Sequence, residues 1–165
     1  MRDTTIFASG NLDEYRLRDL VECGAPIDGF GVGTRMNTSA DAPYLDCAYK
    51  LAEYAGKPCR KRSEGKVTLP GRKQIFRTRD AAGHIQQDCL ALAHETHDGV
   101  TLLGTVMRDG EGCALPPLDE IRAHAARELE SLPAPLRGLN PVVEPFRARI
   151  SAQLEALVAQ MDRAE

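Results

Sequence analysis

Two short apolar runs in this chain end in glycine beside a small polar residue: one at Ser9-Gly10-Asn11, the other at Phe30-Gly31-Val32-Gly33-Thr34. Backbone N–H groups approach an anion closely only where no Cβ intervenes, and glycine supplies that approach while permitting positive φ. Ser9, Asn11 and Thr34 add side-chain donors, and a helix starting just after either turn would bring its partial positive charge. Together these residues predict a small, uncharged cradle for a phosphate monoester. A lone Gly-x-Gly-Thr marks only a turn; two such ends joined by one helix put their donors side by side.

The elements that must hold this cradle read as a βαβ unit. Thr4 to Ala8 is a short β-branched and aromatic run, and Ile27 to Val32 is a second. Between them Leu17, Leu20 and Val21 fall at helical spacing, with an acidic start at Asp13-Glu14 and a stop at Gly24. A helix between two strands implies a parallel pair with a right-handed crossover, so both carboxyl ends lie on the same side. Two parallel strands cannot close a sheet or cover both of its faces. The unit therefore reads as part of a larger α/β sheet or barrel, with an apolar edge and face exposed when the chain stands alone.

From about Leu45 the pattern changes to short strands and turns. Leu45 to Tyr54 is expected as a strand broken by Gly56-Lys57-Pro58, and Lys66 to Leu69 and Gln74 to Arg77 as strands flanking Pro70-Gly71-Arg72-Lys73. Ile85 to Ala93 and Thr101 to Met107 follow as antiparallel strands around His97-Asp98-Gly99. The tail reads as helical: Ile121, Ala125, Leu129 and Leu132 share one face, and Ser151 is placed to cap a last helix carrying Leu154, Leu157, Val158 and Met161. The expected segments are 1–55, a βα part with the phosphate loops, 56–110, a β-rich segment, and 111–165, a helical one.

Composition bounds the partners. At 165 residues the chain has the size of one domain, and its net charge of −3 argues against general affinity for nucleic acid or membranes. No segment has the uninterrupted apolar length of a membrane span, and Met1-Arg2-Asp3-Thr4-Thr5 lacks the apolar core of a signal peptide, which points to the cytoplasm. The five cysteines, Cys23, Cys47, Cys59, Cys89 and Cys113, are scattered without a Cys-x-x-Cys pair and read as reduced thiols. His94-Glu95-Thr96-His97 is one residue short of the spacing that sets two imidazoles one helical turn apart, so packing is the expected role of these histidines, and no metal site is assigned. Asp28 and Asp41 read as turn or cap residues. No Ser-His-Asp order, Lys-bearing phosphate loop or paired-carboxylate signature is present, so no catalytic side chain is assigned to this chain.

Taken in order, Ser9-Gly10-Asn11-Leu12-Asp13, Gly24-Ala25-Pro26-Ile27-Asp28-Gly29-Phe30-Gly31-Val32-Gly33-Thr34, Ser39-x-Asp41-Ala42-Pro43-Tyr44 with Tyr49-Lys50-Leu51, and Lys66-Val67-Thr68-Leu69-Pro70-Gly71-Arg72-Lys73-Gln74-Ile75-Phe76-Arg77 resemble the C-terminal portion of nicotinate phosphoribosyltransferases. Leu102-Leu103, Arg108-Asp109-Gly110, Pro117-Leu118, Ile121-Arg122, Leu132-Pro133 and Ser151 with Leu154 resemble that family's closing segment. The resemblance covers nearly the whole chain. The family's N-terminal domain, its first barrel strands and its phosphorylated histidine have no counterpart here.

The resemblance implies a type II phosphoribosyltransferase: the last βα units of an irregular α/β barrel, a β-rich segment that folds into the accessory α/β domain, and C-terminal helices. It implies nicotinate and phosphoribosyl pyrophosphate as substrates, Mg²⁺ and ATP as cofactors, a homodimer in the complete enzyme, and a chain inactive without the N-terminal portion. Carried over by position, Ser9, Gly10, Asn11, Gly31, Gly33 and Thr34 would bind the 5′-phosphate and ribose hydroxyls. Asn11 stands where many relatives carry Asp, which keeps a ribose acceptor and removes its charge. Lys50 and Lys61 match positions that reach polyphosphate in the related nicotinamide enzyme, across a dimer interface, whereas Lys57, Arg60 and Arg62 read as a solvated basic turn. The Asp41-Ala42-Pro43-Tyr44 and Leu69-Pro70-Gly71-Arg72-Lys73 segments favour nicotinate over nicotinamide. Two other readings stay open: a stand-alone phosphate- or nucleotide-binding module, and a structural remnant.

Overall fold

A computed structural model describes residues 4–38 and 49–163, which fall into two compact units, Met1–Tyr49 and Lys50–Glu165. The first unit runs β1 (Phe7–Ser9), α1 (Glu14–Glu22), β2 (Gly29–Gly31) and the single turn α2 (Thr34–Asn37). The two strands are parallel, with Phe7 opposite Gly29, Ala8 opposite Phe30 and Ser9 opposite Gly31. Both are shorter than their apolar runs because the residues before them are tied by a side chain. Asp28 Oδ2 accepts from the Ile6 N–H at 2.7 Å while the Asp28 N–H donates to the Ile6 carbonyl, the turn-binding role read for Asp28. Glycine on β2 lets the strands come together: a Cβ at Gly29 would run into the Phe7 ring, and one at Gly31 would lie 3.1 Å from Ser9 Cβ.

Helix α1 begins as its sequence dictates. Asp13 Oδ1 accepts from the Arg16 N–H at 2.9 Å, Glu14 stands in the positive first turn, and the helix ends at Cys23, followed by Gly24 at φ +68°.

The second unit contains β3 (Glu53–Tyr54), β4 (Lys57–Pro58), β5 (Lys73–Arg79), β6 (Ile85–Leu92), β7 (Val100–Thr101), β8 (Met107–Arg108), β9 (Glu111–Gly112), α3 (Leu118–Glu130), β10 (Arg149–Ile150) and α4 (Ala152–Arg163). Its main sheet has the order β10-β6-β5-β7, in which β5 pairs antiparallel with β6 and β7, and β10 joins β6 in parallel. Phe76, Cys89 and Ala91 form the core of this sheet, and Ile85, Leu92 and the fully buried Leu154 of α4 complete its buried apolar set.

Several expectations for this unit change. Of the run from Leu45 to Tyr54, residues 45–48 lie outside the described residues, and the rest is strand only at Glu53–Tyr54. Lys66 to Leu69 joins no ladder, because Thr68 is committed to Lys61: its N–H donates to the Lys61 carbonyl and its Oγ1 accepts the Lys61 N–H at 2.9 Å. Lys73 Nζ donates to the Leu69 and Gly71 carbonyls at 2.8 and 2.6 Å, so that turn is fixed by an ammonium group. The run from Thr101 to Met107 splits between β7 and β8.

Ser151 caps α4 as its sequence foretells, its Oγ accepting the Leu154 N–H at 3.1 Å. The apolar face of α3, by contrast, is left uncovered among the described residues: Ile121 and Leu129 are exposed. Charge holds this helix to the sheet instead. Arg77 makes two 2.8 Å bonds to Asp88 on β6 and one of 3.2 Å to Glu128 on α3, and Arg79 reaches Glu128 at 2.7 Å. The turn expected to be solvated and basic is partly buried too. The Arg60 guanidinium, with its side chain 8% exposed, bonds both Asp162 oxygens at 3.0 Å, and Arg62 donates to the Met161 carbonyl.

Candidate functional site

Ser9, Gly10, Asn11, Gly31, Gly33 and Thr34 line one open cleft of about 550 Å³ in the first unit, at the carboxyl ends of β1 and β2. The parallel pairing brings them together: Ser9 faces Gly31 in register, so the turns that follow each strand leave on the same side. Gly10, at φ +107°, adopts a backbone conformation that side chains disfavour, and Asn11, at φ +52°, is among the few residue types that enter the left-handed region readily. A Cβ at Gly33 would meet nothing within 4 Å, so the space beside that backbone is open to a ligand. Leu12 is the buried apolar residue beneath the first turn.

The helix-dipole contribution expected for the cradle is small. The Arg16 N–H of α1's first turn is already taken by Asp13, and α2 is a single turn. A cation takes its place. Arg35, directly after Gly33-Thr34, lines the cleft; its Nε donates to Asn11 Oδ1 at 3.2 Å and its Nη1 to Asp13 Oδ2 at 3.2 Å. The cradle is therefore not uncharged. Arg35 adjoins the glycine turn in sequence, and that adjacency was the available signal; its geometry became visible only once the two turns were side by side.

Lys50 and Lys61 belong to the second unit and are exposed. Ser39 to Tyr44, with Asp41, lie outside the described residues, as does Cys47. The other cysteines, Cys23, Cys59, Cys89 and Cys113, are free thiols. His97 packs its ring 5.2 Å from that of Phe76 and bonds the buried Glu95 carboxylate through Nε2 at 2.9 Å. Glu95 also accepts from the Leu92 N–H at 2.8 Å and the Ser151 hydroxyl at 2.7 Å. Burial alone would raise its pKa, but these hydrogen bonds outweigh burial and hold the carboxyl below its ordinary value. Among the described residues no group of three or more His, Cys, Asp or Glu side chains could hold a metal ion, so no metal ligand is assigned, and no helix is long and apolar enough to cross a membrane.

No family model matches the chain. It is 38% identical over its whole length to nicotinate phosphoribosyltransferase pncB2 of Mycobacterium tuberculosis, spanning 36% of that protein. It is 31% identical to the nicotinate phosphoribosyltransferase of Bos taurus over 98% of the chain and 35% of the relative. The crystal structure of human nicotinic acid phosphoribosyltransferase superposes with a TM-score of 0.74 at 26% identity, over 96% of this chain and 33% of that one. A parallel βαβ unit with glycine turns, followed by a mainly antiparallel sheet and flanking helices, thus defines a mixed α/β protein built like a part of the phosphoribosyltransferases. By sequence the chain belongs to the nicotinate phosphoribosyltransferase family and corresponds to the C-terminal portion of its relatives, spanning about a third of their length.

Proposed function

We propose that this chain is the C-terminal part of a nicotinate phosphoribosyltransferase, which forms nicotinate mononucleotide and pyrophosphate from nicotinate and phosphoribosyl pyrophosphate in NAD salvage. The observation that carries the reading is 38% identity across the entire chain to one such enzyme. The cleft at the ends of β1 and β2 supports it, because late βα turns are the usual phosphate-binding position in α/β barrels. In this reading the two strands are the last of an irregular barrel whose other strands come from the upstream portion.

In the cleft, Gly10 and Gly33 offer backbone N–H groups to the 5′-phosphate, Thr34 and Ser9 add hydroxyl donors, and Gly31 keeps the strands close enough for one phosphate to meet both turns. Asn11 serves the ribose side. The chemistry needs positioning and stabilisation of an oxocarbenium-like centre more than a general base, which fits a segment that binds without supplying a catalytic side chain. Lys50 and Lys61 are assigned to polyphosphate, across the interface of a homodimer. Mg²⁺ and ATP enter as cofactors of the complete enzyme, and ATP hydrolysis drives the reaction. The remainder of the reading is a cytoplasmic protein in three segments, 1–55, 56–110 and 111–165.

A second reading, a phosphate- or nucleotide-binding module without chemistry, is favoured by one observation: the cleft is lined by glycine turns, small polar side chains and Arg35, with no carboxylate or imidazole among its described lining residues. A nicotinate mononucleotide formation assay with nicotinate, phosphoribosyl pyrophosphate and Mg-ATP separates the two. Product is expected only when the chain is combined with an upstream portion of the enzyme. Saturable mononucleotide binding with no product in that combination would leave the module, and Gly33→Val should abolish binding in either case.

A further inference from the structure

We propose that Arg35 is the phosphate-recognising cation of the cleft, held in place by Asn11 and Asp13 acting as a clamp; this rests on the phosphate reading given above. Arg35 is the one charged residue lining the cleft among the described residues. Its guanidinium is anchored at two points: Nε to Asn11 Oδ1 and Nη1 to Asp13 Oδ2, both at 3.2 Å. Those two bonds leave Nη2 without a hydrogen bond among the described residues, on a side chain that is 40% exposed. A planar guanidinium held at two of its three nitrogens presents the hydrogens of the third, Nη2, in set directions, from which it can donate to phosphate oxygens.

The anchors are themselves fixed. Asp13, with its side chain 15% exposed, spends its other oxygen on the Arg16 N–H as the cap of α1, and the Asn11 carbonyl accepts from Arg16 Nη1 at 3.0 Å. This gives Asn11 a role besides ribose contact. An amide oxygen at position 11 orients Arg35 without adding a second negative charge beside Asp13, so no further carboxylate repels an anion at the free Nη2.

Titration of the chain with nicotinate mononucleotide and with nicotinate riboside, which lacks the phosphate, tests this. Wild type is expected to prefer the mononucleotide. Arg35→Gln should weaken mononucleotide binding at least tenfold while leaving the riboside within twofold, and Arg35→Lys should recover part of the loss. Asn11→Ala should weaken the mononucleotide at least threefold. Equal losses for both ligands in Arg35→Gln and Arg35→Lys, or no loss for the mononucleotide, would overturn the proposal and leave the cleft as a phosphate site without a cation. A wild-type chain that binds neither ligand would overturn the phosphate reading itself, and this assignment with it.

Discussion

Glu95 shows what one buried carboxylate can organise. It receives the Leu92 N–H, the Ser151 hydroxyl and His97, so its charge ties the end of β6 to the start of α4. Its folded pKa lies below the ordinary glutamate value of about 4.3. The stability it contributes is therefore complete above that value and lost as pH falls through the lower, folded one. Denaturant unfolding should accordingly show the wild type losing its advantage over Glu95→Gln as the pH is lowered below about 4, and an equal advantage at pH 7 and pH 3 would contradict this. Glu95→Ala, which strands the Leu92 N–H and the Ser151 hydroxyl, should cost about 1–3 kcal/mol at neutral pH. Gly10 offers a backbone test at the same scale: at φ +107° an alanine is strained, and Gly10→Ala should destabilise the first unit by about 1–2 kcal/mol, read as faster amide exchange across β1 and α1.

Among the elements, α4 and α3 are anchored by opposite means. Helix α4 buries Leu154 completely and carries its cap on Ser151. Leu154→Ala should cost about 2–5 kcal/mol by leaving a cavity against the sheet, and Ser151→Ala about 1 kcal/mol for the lost cap, with a further loss because Glu95 forfeits a donor; urea midpoints measure both. Helix α3 buries no residue and is held through Arg77, Arg79 and Glu128. Raising the salt concentration should therefore weaken the packing of α3 more than that of α4, since partly exposed ion pairs are screened and a buried leucine is not. Site-resolved hydrogen exchange at low and high salt distinguishes them.

At the scale of the molecule, apolar surface is left over. Phe7, Val21 and Met36 in the first unit are 65–73% exposed, and Leu118, Ile121 and Leu129 of α3 are 45–65% exposed. Parallel sheets are ordinarily covered on both faces, whereas this two-stranded one carries such exposed apolar side chains among the described residues. The isolated chain is expected to bind a hydrophobic dye and to self-associate at micromolar concentration. A monodisperse monomer with a sharp cooperative melt and no dye binding would show that these surfaces are tolerated without cover.

What the sequence by itself determined is what neighbouring residues dictate. Asp13 three residues before Arg16 caps α1, Gly24 stops it, Ser151 caps α4, and the apolar runs of the first unit mark two strands joined by a helix, which the parallel pair follows. Each of these signals acts over a few residues, where steric and hydrogen-bonding rules leave few alternatives. The glycine turns were visible in the same way, and their meeting at one cleft followed from the crossover. Only the tertiary structure decided where the charges went. Arg35 finds partners 22 and 24 residues away, and Arg60, expected in solvent, finds Asp162 at a separation of 102. It also decided that the α3 face, apolar at helical spacing, stays exposed among the described residues. Periodicity states which side of a helix prefers burial, while burial itself requires another element to lie against it, and a long side chain's partner is set by how the chain returns on itself.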